Sequence, residues 1–251
     1  MDVTNSLAAP EEDDEAHRAV VLLSGGLDST TVLALAIAAG YDVHALTFRY
    51  GQRHALELRF ASIQAHQYGV TSHEVIDVSD FGRLVAHATA LVGQSDLPVP
   101  KDRDIAATTD VPVTYVPARN ALFLAYALAW AEALEARSIC LGVNVLDYSG
   151  YPDCRPAFVQ AFEHMANLAT RSGVESKPIR VRAPLLELRK HEIIAIGLAH
   201  GVNYRNTLSC YDPTLRGDDV FACGRCDSCR LRLAGFQLAN STDPANYLAR
   251  R

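Results

Sequence analysis

Ala19-Val20-Val21-Leu22-Leu23-Ser24-Gly25-Gly26-Leu27-Asp28-Ser29 is the stretch whose reading decides the fold. Its apolar opening, with β-branched Val20 and Val21, reads as a short buried strand that Ser24-Gly25-Gly26 stops. An apolar segment over 30–39 follows as a helix, and Gly40 stands where a helix end favours a left-handed residue. Strand, glycine loop and helix in that order bring backbone N–H groups and the positive end of the helix dipole to one point, which suits an anion. Two glycines let a phosphate approach the main chain, and the Ser24 and Ser29 hydroxyls face the same oxygens. No Gly-Lys-Ser/Thr follows, and the dinucleotide-binding spacing is missing as well.

Outward from this loop the pattern alternates. A strand is expected over 41–48, a helix over 55–68 stopped by Gly69, and a strand over 73–78. After a gap come a strongly apolar helix over 121–137, a strand over 138–143, an amphipathic helix over 156–172 with Pro156 in its first turn, and a strand over 179–183. Pro184, Lys190 and a helix running to His200 close the pattern. Such alternation implies an α/β fold, a doubly wound parallel sheet with helices on both faces, over residues 19–200. The gap, 81–113, is rich in Pro, Asp, Thr and Gly and is expected to be a mobile insertion over the site. Residues 1–18, with Glu11, Glu12, Asp13, Asp14 and Glu15, are expected to form a disordered acidic tail, and 201–251 a small C-terminal lobe.

The 251 residues, 49% hydrophobic and 21% charged, suffice for one full core with an appendage. A formal net charge of −6 argues against a duplex-binding protein, which needs a basic face to displace counterions. Neither an apolar leader nor an uninterrupted run of membrane-spanning length occurs, so a cytoplasmic protein with no membrane and no nucleic-acid partner is expected.

Ser24-Gly25-Gly26-Leu27-Asp28-Ser29 resembles the SGGxDS loop of the PP-loop ATP pyrophosphatases, whose fold is adenine nucleotide alpha hydrolase-like. The resemblance implies that ATP is split between its α and β phosphates and that a substrate is adenylated. It makes all six loop residues the ATP site and Asp28 the candidate ligand of Mg²⁺. The structural alternative is a plain Gly turn with Asp28 capping the helix.

Three further blocks narrow the family. They are Tyr50-Gly51-Gln52-Arg53-His54, Tyr115-Val116-Pro117-Ala118-Arg119-Asn120 and Asp147-Tyr148-Ser149-Gly150-Tyr151-Pro152-Asp153-Cys154-Arg155. Together they resemble the signature of the 7-cyano-7-deazaguanine synthases, over about Ala19 to Phe236. The resemblance implies that 7-carboxy-7-deazaguanine is adenylated, captured by ammonia as an amide, and activated again to a nitrile. The flat ring would stack on Tyr148 or Tyr151, and its N–H edge would donate to Asp147 or Asp153. Arg119 is a candidate clamp for a phosphate or the substrate carboxylate, with Asn120 as helix cap. Lys190 is a weaker candidate for the phosphates, since a plain first-turn surface lysine fits equally. Family analogy suggests a homodimer. A PP-loop enzyme acting on tRNA, or a relative that passes the adenylate to another amine, are the rival readings.

Cys223, Cys226 and Cys229 form two overlapping Cys-x-x-Cys turns, with Cys210 a short loop upstream. Four thiolates make a closed tetrahedral zinc site, though an iron–sulfur cluster takes four cysteines as well. The family blocks favour Zn²⁺. Cys140 reads as strand core, Cys154 has no assigned chemistry, and none of the nine histidines lies in a nucleophile or metal pattern.

Overall fold

The computed structural model describes residues 7, 17–103, 110–146 and 150–249. At its centre lies β1 (Arg18–Leu22), flanked on one side by β2 (Asp42–Arg49) and β3 (Ser72–Asp77) and on the other by β4 (Ser138–Cys140) and β5 (Arg180–Arg182). All four pairings are parallel, so the order is β3-β2-β1-β4-β5. The expected doubly wound sheet is what forms.

Side chains alternate across the strands. Val20, Leu46 and Ile139 face one layer, which is covered by α4 (Arg119–Ala133) and α5 (Pro156–Ala169) through Leu124, Ala127 and Phe162. Val21, Ala45 and Cys140 face the other, against α1 (Leu27–Ala38), α2 (Glu57–Tyr68) and α7 (Lys190–Ala199) through Leu33, Ala61 and Ile193. Glycine punctuation works as the sequence implied. Gly40 and Gly69, at φ +89° and +61°, follow α1 and α2 in the left-handed region.

Several expectations need correction. The 81–113 stretch is not structureless: α3 (Ser79–Val85) runs into it, and Ala90, Leu91 and Val92 are buried against the core, while 104–109 lie outside the described residues. Asn120 does not cap α4. The cap position is Ala118, at φ +55°, and the Asn120 amide is held from outside by Asp153 Oδ2 at 3.0 Å. The strand expected over 138–143 covers only Ser138–Cys140, and the long helix after Pro156 breaks before a one-turn α6 (Arg171–Val174). Most of the acidic N-terminal stretch lies outside the described residues, yet Leu7 is buried in the α1 layer.

Beyond Gly201 come a hairpin, β6 (Thr214–Arg216) and β7 (Asp219–Phe221), and α8 (Asp227–Leu238). This lobe is stitched to the main domain. Phe236 of α8 belongs to the same core cluster as α1 and α7 and is 1% exposed. Arg232, also buried, forks onto Asp243 with two 2.9 Å contacts and donates to Thr207 Oγ1 and the Tyr204 carbonyl.

Gly25 marks the tightest junction. Its φ is +82°, and a β-carbon there would sit 2.4 Å from the Glu57 carbonyl oxygen and 2.5 Å from the Ala61 amide of α2. Both obstacles are helix backbone and cannot swing away. Gly25→Ala combines overpacking with left-handed strain and should lose about 2–5 kcal/mol. Gly40→Ala, where a β-carbon meets nothing within 4 Å, should lose only the backbone part, about 1–2 kcal/mol. Thermal unfolding of the two variants side by side checks this: similar midpoints would mean that α2 yields at Gly25.

Candidate active site

The strand order reverses direction of growth between β1 and β4, and in open α/β sheets ligands bind beyond the strand ends at such a point. Here a cavity of about 210 Å³ opens, lined by Ser24, Asp28, Tyr50, Arg119, Asn144 and Tyr151 among others. One wall is the loop after β1. Its serines brace it: Ser29 Oγ accepts from the Ser24 amide at 3.2 Å, lies 3.0 Å from Ser24 Oγ, and donates to the Gly26 carbonyl at 3.2 Å. Gly142, after β4, packs so closely that a β-carbon would be 2.9 Å from the Ser29 amide.

Asp28 is not the helix cap. Gly26 holds that position, and the Asp28 carboxylate instead receives Lys190 Nζ on both oxygens, at 2.7 and 2.9 Å. Lys190 is only 7% exposed, so it is no surface lysine; it opens α7, whose Glu192 side chain accepts from the Arg189 amide at 2.7 Å. The structure thus brings together two site candidates that stand 162 residues apart.

The three sequence blocks divide their work. In the first, Gln52 accepts from the Tyr50 amide and donates to the Phe48 carbonyl and to Glu57 Oε1, while Arg53 donates to the carbonyls of Ala90 and Ser95. Those two are scaffold, whereas Tyr50 and His54 line the cavity. In the second, Ala118 turns the chain so that Arg119 starts α4 at the cavity wall. Burial works against the Arg119 charge, but Tyr50, then Asp153 and Cys154, outweigh it and raise its pKa. It stays a cation. In the third, Tyr151 is buried and donates to Thr114 Oγ1 at 2.8 Å, and Asp153 holds the start of α4 through the Asn120 amide. Cys154 accepts from Asn120 Nδ2 at 3.4 Å, and burial pushes its thiol up to about 12. Asp147 and Tyr148 lie outside the described residues.

Glu57 and His54 also line the cavity, although neither is among the candidate site residues expected from sequence. Both are buried in the cavity wall, with His54 Nε2 3.4 Å from Glu57 Oε1. Burial pushes the Glu57 carboxyl up to about 8, although the Gln52 N–H and Arg119 pull the other way. Burial and then Arg119 hold His54 down at about 3. Membership of His54 in the first block is the one local signal. Glu57, in the first turn of α2, gives none.

The C-terminal lobe supplies the remaining wall. The Leu208 amide donates to the Gly25 carbonyl at 2.9 Å, and Ser209 Oγ accepts from the Leu27 amide at 3.4 Å. Next in the chain is Cys210, whose sulfur gathers with those of Cys223, Cys226 and Cys229 within 4.8 Å of one another. Cys223 and Cys229 sulfurs are 3.9 Å apart, close to the edge of about 3.8 Å for a tetrahedron with 2.3 Å metal–sulfur bonds. The amides of Asp212 and Cys223 donate to Cys210 Sγ, and those of Arg225 and Cys226 to Cys223 Sγ, at 3.1–3.4 Å. Four sulfurs so placed and so supported fit a metal ion.

A parallel sheet with an SGGxDS loop at its switch point defines an ATP-using enzyme of the PP-loop class. The fold is similar to that of NMN synthetase from Francisella tularensis, with TM-score 0.51 over 96% of this chain and 84% of that one, at 15% identity. The family model described as queuosine biosynthesis protein QueC matches residues 18–240, and the chain belongs to that family. It is 55% identical to the 7-cyano-7-deazaguanine synthase of Azotobacter vinelandii over 92% of this chain and 98% of that one. With the synthase of Syntrophotalea carbinolica it shares 56% identity over 92% and 97%.

Breaking the largely buried Lys190–Asp28 pair from the lysine side leaves the carboxylate without its partner. Lys190→Met should therefore be less stable than the Lys190→Met/Asp28→Asn double variant, with a coupling of about 1–3 kcal/mol between the two sites in a denaturation cycle. A loss within about 0.5 kcal/mol for Lys190→Met alone would place it with ordinary surface lysines.

Proposed function

We propose that the chain converts 7-carboxy-7-deazaguanine and ammonia into 7-cyano-7-deazaguanine at the expense of ATP, forming an acyl-adenylate and then an amide on the way. The observation that carries this reading is the meeting, at one switch point, of the Ser24–Ser29 loop and the Arg119 and Tyr151 walls in a chain of the QueC family.

A carboxylate oxygen is a poor leaving group, whereas AMP leaves readily once the carboxyl is adenylated. On this reading Gly25, Gly26, Leu27 and the Ser24 and Ser29 hydroxyls hold the β and γ phosphates as the leaving unit. Arg119 orients the substrate carboxylate for in-line attack on the α phosphorus, because a fixed guanidinium meets the anion without rearranging. Asp28 would hold Mg²⁺ with Lys190 beside it, and the ion would neutralise charge on the departing pyrophosphate. Tyr151, with Asp147 and Tyr148, would carry the deazaguanine ring, and Asp153 would fix the Arg119 end of α4. The amide then returns to the same site for a second adenylation, and loss of AMP leaves the nitrile. The assembly on this reading is a cytoplasmic homodimer.

Turnover should release AMP and pyrophosphate in step with substrate consumed, as read by chromatography of the nucleotides. ADP and inorganic phosphate as the primary products would overturn the reading. Asp28→Asn should lose most activity and its normal Mg²⁺ dependence while remaining folded.

Cys210, Cys223, Cys226 and Cys229 would hold one ion, which we take to be zinc, and four thiolates would leave it no open position for water or substrate, so it would serve structure. Elemental analysis should find one zinc per chain. Cys229→Ser should raise hydrogen exchange in α8 and around Leu208 far more than in β1 and β2. Iron instead of zinc, or unchanged protection after the substitution, would refute it.

A further inference from the structure

We propose that His54 and Glu57 form the subsite for the amine nucleophile and accept its proton, which deepens the reading above and rests on it. His54 Nε2 is committed, 3.4 Å from Glu57 Oε1 and 3.5 Å from the Tyr50 hydroxyl. Nδ1, on the opposite side of the ring, is buried and has no hydrogen-bond partner among the described residues, and the residue is 6% exposed. A buried nitrogen left unpaired is unfavourable by about 1–3 kcal/mol, so a small hydrogen-bonding ligand is what this wall is missing. It shares the cavity with Asp28 and Arg119, where the acyl group is to be activated.

Ammonia fits by chemistry, since its N–H groups can donate to the Nδ1 lone pair. With Glu57 ionised, His54 carries its proton on Nε2 toward Oε1 and offers the Nδ1 lone pair. As the C–N bond forms, one N–H proton passes to Nδ1 and the Nε2 proton passes to Glu57 Oε1. The C–O bond to AMP then breaks and AMP leaves with the electron pair. Glu57's negative charge and the positive charge developing on the nitrogen cancel, so no new charge is created in a dry pocket, and imidazolium never accumulates. Burial acts in this direction, since it disfavours both a charged His54 and a charged Glu57. Among the described residues, Tyr50, Arg119 and Tyr211 are the charged and titratable groups facing the pair, and Arg119 is the cation that keeps ionised Glu57 accessible.

Because Glu57 acts as the carboxylate, the capture of ammonia, expressed per unprotonated ammonia, should rise with pH and level off above about 8. Glu57→Gln, which keeps the shape and an acceptor for Gln52, should lose that inflection. Its amide formation should fall at least about 100-fold, while pyrophosphate exchange into ATP, driven by the carboxylate substrate, stays within about threefold of wild type. His54→Gln should show the same split. Wild-type capture that is flat with pH, a Glu57→Gln enzyme that captures ammonia normally, or equal losses of exchange and capture would each overturn the subsite. If the wild-type enzyme shows no exchange driven by the carboxylate, the proposed function fails and the subsite with it.

Discussion

The closeness of Gly25 to α2 is the constraint on which the site depends. Because even a β-carbon at Gly25 would collide with the helix backbone at Glu57 and Ala61, the phosphate loop and the start of α2 pack with no room for a side chain between them. That contact sets how far Glu57 and His54 stand from the loop. The Gly25 carbonyl, held by the Leu208 amide, ties the same residue to the C-terminal lobe. One residue without a side chain therefore joins three segments, and none of them can shift without the others.

Charge in the cavity follows from that packing. Lys190 neutralises Asp28, Arg119 stays cationic against burial because Tyr50 and Asp153 lie beside it, and Glu57 favours its neutral form. The wall around the loop is thus poised for anions, and its acidic members are either paired or protonated near neutral pH. An overall acidic protein can hold a triphosphate in this way, because the local field outweighs the net charge at contact distance.

The cysteine cluster acts on this site at one remove. Cys210, one of the four clustered cysteines, directly follows Leu208 and Ser209, which contact the loop through the Gly25 carbonyl and the Leu27 amide, so an ion held by the four sulfurs would steady that contact. On its far side Arg232 clamps Tyr204, Thr207 and Asp243 with buried charge-assisted bonds. A lobe that looks like an appendage in the chain is in effect a brace for the phosphate site.

Taken alone, the sequence left α3, α6 and the elements beyond Gly201 open, but it determined the order of the five sheet strands and of the main helices between them, the glycine loop and the four-cysteine set. These are local properties: periodicity, a turn residue's freedom at positive φ, and the spacing of like side chains within a few turns of chain. Tertiary structure alone decided that Asp28 pairs with Lys190, that Asp153 rather than Asn120 secures α4, and that the last helix joins the main core. It also decided that His54 and Glu57 sit in a cavity wall at all. Those outcomes depend on which distant segments pack together and how much water they exclude, and desolvation, which changes a carboxyl or an imidazole most, is a property of the packed core and not of any stretch of sequence.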